Sequence, residues 1–303
     1  MNSPGVFAPE ARMTFADSTA VSTLNSLHEA EALAFLNQRP LHNFALIGFI
    51  RDNGLISPLN RGTFYACRSA EGKLEGVALI GHATLFETRT HEALAAFARL
   101  AHDSASTHMV IGEQEKVEQF WEHYGEGGQG VRRVCREILL EQRWPVEVRE
   151  AVKGLRLATS DDIELVMPVQ AAMAYEECGV NPLEKDPEGF RRRCARRIEL
   201  GRTWVWVEDG QLIFKAEVVS DTPEVAYLEG VWIAPQERGK GYGLRCVAQL
   251  SHQLLTNTRS VSILVNVHNR AALNLYRKAG YKQQCSYDTI YLEQKPSAFD
   301  QSL

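Results

Sequence analysis

An apolar strand, Tyr227-Leu228-Glu229-Gly230-Val231-Trp232-Ile233, stops at Pro235 and runs into Arg238-Gly239-Lys240-Gly241-Tyr242-Gly243. Beyond that turn, apolar residues at 244, 247, 248, 254 and 255 keep helical spacing. Strand, glycine turn and helix together make a phosphate cradle. Glycines let successive backbone N–H groups converge with no Cβ in the way, and the helix N-terminus adds partial positive charge. Two other cofactor loops fail on spacing. The turn lacks G-x-G-x-x-G, residues 257–261 offer no acid for a ribose, and no G-x-x-x-x-G-K-[ST] occurs. The nine histidines form no H-E-x-x-H, and none of the six cysteines (Cys67, Cys135, Cys178, Cys194, Cys246, Cys285) stands in C-x-x-C spacing. No metal is expected, and the cysteines read as reduced thiols in a cytoplasm.

The elements that must hold this turn fall in the second of two halves. The 303 residues suit two domains of about 150. With 45% apolar and 23% charged residues, each half can bury its own core, which excludes wholesale disorder and rod-like folds. Lys and Arg number 33 against 38 Asp and Glu, a net charge of −5, which disfavours a nucleic-acid partner. The longest apolar run, Phe44 to Ile50, is far short of the ~20 residues of a membrane span. Pro145 and the aperiodic charged run after it mark a linker at 146–153, between a first domain at 23–145 and a second at 154–303. Residues 1–22 read as a flexible tail. Both halves read as mixed α and β. In the second, Thr159 to Asp162 offer a helix N-cap, Asp186-Pro187 opens a further helix, and 203–207, 212–219, 225–233 and 261–267 are strands.

The second half closely resembles the GNAT superfamily of acyl-CoA N-acyltransferases. The pattern R/Q-x-x-G-x-G/A is met by Arg238 to Gly243, and N-x-x-A-x-x-x-Y-x-x-x-G-[FY] by Asn269, Ala272, Tyr276, Gly280 and Tyr281. The whole chain also resembles bacterial two-domain GNAT proteins, on the runs 176–182 and 214–218. The resemblance implies an α/β (α+β) fold, a mixed central sheet with splayed strands flanked by helices, in a tandem GNAT-like architecture. The first half lacks the phosphate motif. It is expected to be a degenerate GNAT-like domain or, alternatively, an unrelated α+β module.

The resemblance further implies acetyl-CoA as acyl donor. Val231, Trp232 and Ile233 would lie along its pantetheine arm, and Arg238, Gly239, Lys240, Gly241, Tyr242 and Gly243 would hold its pyrophosphate. Asn269 would bond it near the opening between the central strands. Tyr276 would serve as acid to the departing thiolate, a phenol of pKa ~10 being suited to that transfer; the alternative is that it only packs. Glu229 would be the general base. On a regular strand it shares a face with Val231 and Ile233, and apolar neighbours should raise its pKa; the alternative is an ion pair with a nearby Arg. Glu176 and Glu177 are candidates for binding a cationic amine, small-molecule, peptide or protein. The basic run Arg191 to Arg197 suits a solvated helix face, with an acidic partner or the cofactor 3′-phosphate as the alternative. A homodimer is compatible with this reading. The competing function is a non-catalytic acyl-CoA sensor.

Overall fold

The computed structural model describes residues 20–293 except 105, 126 and 149. The N-terminal half runs β1 (Ala20–Thr23), α1 (Glu29–Leu36), α2 (Phe44–Asn53), β2 (Gly62–Arg68), β3 (Leu74–Gly81), β4 (Ala83–Thr88), α3 (His91–Asp103), β5 (Met109–Glu113), α4 (Gln114–Tyr124) and β6 (Val131–Gln142). The C-terminal half runs β7 (Leu155–Leu157), α5 (Ile163–Cys178), α6 (Pro182–Lys185), α7 (Pro187–Glu199), β8 (Thr203–Glu208), β9 (Gln211–Asp221), β10 (Ala226–Ile233), α8 (Tyr242–Leu254), β11 (Val261–Asn266), α9 (Arg270–Lys278) and β12 (Lys282–Leu292). Each half is a strand, a helical segment, three strands, a helix, a strand, a helix and a last strand. This is the repeated order of a tandem architecture. The expected tail lies outside the described residues as far as 19; Ala20 to Thr23 pair with β2.

All twelve strands join one sheet, in the order β1-β2-β3-β4-β5-β12-β6-β11-β10-β9-β8-β7. The two last strands are exchanged. β6, from the N-terminal half, pairs with β11 from Val261↔Gln142 to Asn266↔Glu137. β12, from the C-terminal half, pairs with β5 of the other half and with β6. Sheet hydrogen bonding therefore joins the two halves at three strand pairs, β5 with β12, β12 with β6 and β6 with β11. α2 adds a further contact: Phe44 stacks on Tyr227 at 3.9 Å, Ser220 Oγ donates to the Phe44 carbonyl at 2.8 Å, and Arg202 pairs with Asp52.

Local signals explain the helices around the site. Asp186 caps α7 by accepting from the Gly189 amide, Pro187 fills the first position, and Gly201 follows the end at φ +66°. A reciprocal Thr159–Asp162 capping pair leads into α5. α8 and α9 cover one face of the C-terminal half, over Phe214, Ala216, Val218 and Leu228. α5 and α7 cover the other, over Val205 and Leu212. Among the described residues, no helix is long and apolar enough to cross a membrane.

Candidate active site

β10 and β11 run parallel and are paired only from Ala226↔Val261 to Leu228↔Ile263. Beyond Leu228 they diverge, leaving the β10 backbone without a partner strand on that side. The divergence is reinforced by a β-bulge. On β9, Glu217 faces Glu229 and Lys215 faces Trp232, so β10 carries one extra residue there, with Gly230 at φ +60°. Lys215 Nζ pins the bulge by donating to the Gly230 carbonyl at 3.2 Å and to Gln170 Oε1 at 2.5 Å.

The bulge changes which residues share a face. A regular strand would align Glu229 with Val231 and Ile233. Instead Val231 and Ile233 pack toward α8 and α9, whereas Trp232 packs toward α5 and α7. Glu229, opposite Glu217, lines a cavity of about 310 Å³ on the α5 side, together with Glu137, Glu176 and Glu177. Among the described residues Glu229 makes no ion pair. Arg197 and Lys215 both pair instead with buried Glu217, Lys215 at 3.2 Å. Burial pushes the Glu229 carboxyl up, against the pull of Arg197.

Glu137 is the residue that sequence reasoning missed. It lies on β6 beside Asn266, where β11 leaves β10. Thr289 Oγ1 donates to it at 2.8 Å. Burial, with the charges of Glu177 and Glu229 nearby, pushes its carboxyl up to about 7 despite that hydrogen bond. Its position 92 residues before Glu229 leaves no spacing motif to find; only the strand exchange brings the two to one cavity. Glu176 and Glu177 stand at the C-terminal turn of α5, exposed, with Tyr291 OH donating to Glu177 at 3.0 Å.

On the opposite face lies the glycine turn. Gly239 (φ +79°) and Gly241 (φ +84°) take left-handed conformations in open space. Among the described residues, the amides of Gly239, Lys240 and Gly241 donate no hydrogen bond, which leaves them available to an anion. Gly243 serves packing, since a Cβ there would lie 2.8 Å from Leu275 Cδ1 and 3.4 Å from Ile233 Cγ1. Arg238 donates to the Ile233 carbonyl at 3.2 Å, Lys240 pairs with Glu237 at 2.9 Å, and Arg245 stacks near the Tyr242 ring at 5.8 Å. The free amides, with Arg238, Lys240 and Arg245 beside them, suit a pyrophosphate. Asn269 caps α9, its Oδ1 accepting from the Ala272 amide at 3.0 Å. Tyr276 is buried in the core under α8 and α9, its ring edge-on to Tyr281 at 5.3 Å, and burial pushes its phenol well above the usual range. The basic run lies on α7, across the sheet from the turn. Arg191, Arg192, Arg193 and Arg197 all hold acidic partners, and Phe190, Cys194 and Ile198 are buried. It does not face the phosphate turn.

The corresponding opening in the N-terminal half is closed by charge. β4 and β5 pair in parallel only from Ala83↔Met109 to Leu85↔Ile111. Beyond them Arg39 bridges Glu87 at 3.2 Å and Glu113 at 2.7 Å, and Lys116 reaches both at 3.1 and 3.4 Å. Glu113 also joins His42 and Cys285, whose donor atoms lie within 4.8 Å of one another. That is metal-ligand chemistry drawn from three elements, invisible to sequence spacing. Its carboxylate, however, is already held by two cations.

Comparison with known proteins agrees with this architecture. Residues 171–281 match the model of the acetyltransferase (GNAT) family. Among solved structures, a Drosophila protein aligns with a TM-score of 0.65 at 14% identity, over 90% of this chain and 98% of its own. A GCN5-related N-acetyltransferase from Sphaerobacter thermophilus aligns at 0.58 and 15%, over 93% and 98%. A tandem GNAT protein from the clavulanic acid biosynthesis pathway aligns at 0.56 and 12%, over 92% and 99%. At these identities the likeness is one of fold. No curated protein matches the sequence.

Proposed function

We propose that this chain, whose residues 171–281 are a GNAT acetyltransferase domain, transfers an acetyl group from acetyl-CoA to an amine within a ternary complex. The observation that carries the reading is the meeting of Glu229 and Glu137 on one cavity wall beside the opening of β10 and β11. The free glycine amides lie across the sheet from it. The acyl donor would place its pyrophosphate on the amides of residues 239–243. Its acyl end would reach the unpaired β10 backbone beyond Leu228, whose N–H groups can polarise the thioester carbonyl. The acceptor arrives as an ammonium, which the acid-lined cavity attracts. Glu137 or Glu229 takes one proton, and the free amine attacks the carbonyl carbon. The tetrahedral adduct collapses, the C–S bond breaks, the second carboxylate or water takes one of the two protons on nitrogen while the amide keeps the other, and the thiolate is protonated by Tyr276. A phenol raised by burial gives its proton readily only to a thiolate equally stripped of water, so this step requires the closed complex.

Purified protein with acetyl-CoA and a panel of amines, followed by free-thiol release, tests the proposal. Turnover that falls at least about a hundred-fold in Glu137→Gln and Glu229→Gln is the expected result for a general base. Unchanged rates in both variants would remove these residues from the mechanism. Tight acetyl-CoA binding with no turnover of any amine would favour the sensor.

A further inference from the structure

A second and larger cavity, of about 850 Å³, adjoins the acid-lined one. Ala174 lines both, and Tyr291, in the wall of the larger, donates to Glu177 in the smaller at 3.0 Å. The two differ in charge. The smaller carries four carboxyl side chains and one cation, Arg133, whereas the larger gathers Arg61, Arg132, Lys185 and Arg193 around one acid, Asp186, in a chain of net charge −5. Only Arg193 among these cations is paired with Asp186, at 3.0 Å. Arg132 is spent on the Cys178 carbonyl and the Tyr291 ring. Arg61 and Lys185 make no ion pair among the described residues. Arg61 is held in place by backbone: Gly62 and Gly81 pair so closely that a Cβ on Gly81 would meet the Arg61 carbonyl at 2.3 Å, and the His82 amide donates to that carbonyl at 2.8 Å. His82 reports the field. Burial first, then Arg61, His108 and Arg193, push its imidazole down to about 3. Phe190, Leu292 and Val180 supply an apolar lining. A small molecule with an anionic group and an apolar body fits this combination of volume, charge and lining.

We infer that the acceptor is a bipolar molecule, with its amine among the carboxylates of the smaller cavity and a carboxylate or phosphate held by Arg61 and Lys185 in the larger. The inference rests on the transferase reading and names its substrate class. The C-terminal turn of α5, from Ala174 to Cys178, is the divider the molecule passes. An amine with no anionic group would leave the two cations without an anion and gain nothing from the larger cavity.

Two measurements on the full chain test this. Calorimetry without acetyl-CoA uses octanoate and octyl phosphate, anions with an apolar body and no amine; the stronger of the two identifies the preferred anion. Binding is expected, weakening about ten-fold or more in the Arg61→Gln/Lys185→Gln double variant, as loss of charge-assisted hydrogen bonds dictates. Thermal unfolding of that variant checks that it is folded. Kinetics then compares ω-amino acids of increasing length with n-alkylamines of equal length. The expected result is a kcat/KM ratio of at least about ten in favour of one length of amino acid, falling toward one in the double variant. No binding of either anion, or binding indifferent to the double variant, overturns the inference. Turnover of amines with no preference for the anionic series overturns the acceptor assignment while leaving the transferase intact. Anion binding with no turnover of either series overturns the transferase reading and the acceptor assignment with it.

Discussion

Glu137 and Glu229 face one cavity, and after burial the charges of Glu177 and Glu229 raise the proton affinity of Glu137. With its carboxyl pushed up to about 7, Glu137 still holds its proton at pH 6 and has largely released it by pH 8. A base must be ionised, so kcat/KM should rise with pH through a limb near 7 and lose that limb in Glu137→Gln. Stability runs the other way. A carboxyl whose folded value lies above its unfolded 4.5 makes the folded state bind the extra proton. Its contribution is complete below about 4.5 and is lost as pH rises through about 7. Glu137→Gln should therefore be more stable than the parent at pH 8, by up to about 3 kcal/mol, with the gain shrinking toward pH 5. Urea unfolding at the two pH values measures it. A variant that loses stability equally at both would assign Glu137 a purely structural part. Glu229 was legible in the sequence as a candidate, because its strand runs directly into the glycine turn. Glu137 was not, because nothing local distinguishes a glutamate in a strand of the other half.

At the scale of elements, the strands and helices of the second half followed from periodicity, caps and glycines, since those signals act within a few residues. α8 and α9 lie where the two motifs require. The bulge in β10 did not follow. Alternation along Tyr227 to Ile233 is compatible with a regular strand, and the shift depends on Lys215, 15 residues away, bonding the Gly230 carbonyl. Lys215, Glu217 and Arg197 support that bulge from below, and Lys215 and Glu217 are almost fully buried. Glu217→Gln would take from Lys215 and Arg197 the carboxylate both pair with, which should cost about 3–5 kcal/mol in chemical denaturation. Replacing Lys215 and Glu217 together by Met and Leu should cost less stability but more activity, because the Gly230 carbonyl loses its donor. Across the sheet, Gly241→Ala tests the phosphate turn. At φ +84° a Cβ strains the backbone by about 1–2 kcal/mol. Acetyl-CoA affinity should then fall about ten-fold by calorimetry, with the amine KM little changed. Unaltered acetyl-CoA affinity would place the pyrophosphate elsewhere.

For the whole molecule, the exchange of β6 and β12 decides how the halves depend on each other. The sequence shows two similar runs of elements but gives no sign of which last strand returns to which half, since pairing partners are chosen by the assembled sheet. Had each half kept its own strand, the N-terminal half would be dispensable to the site. With the exchange, residues 146–303 alone would expose β11 along the row that β6 covers, from Val261 to Asn266, and leave β12 without either neighbour. An apolar edge of that kind templates association. The fragment would also lack Glu137. Expressed alone, residues 146–303 should aggregate or associate through strand exchange. Co-expression with residues 1–145, cut within the linker, should yield a one-to-one complex that binds acetyl-CoA and turns over amines, by size-exclusion with light scattering and thiol release. A monomeric, active 146–303 would contradict both the pairing and the role given to Glu137. In the intact chain the shared sheet should also make the halves unfold together. Fluorescence of Trp121, on α4, and of Trp204 and Trp206, on β8, isolated by replacing the other tryptophans with Phe, should then report one common urea midpoint.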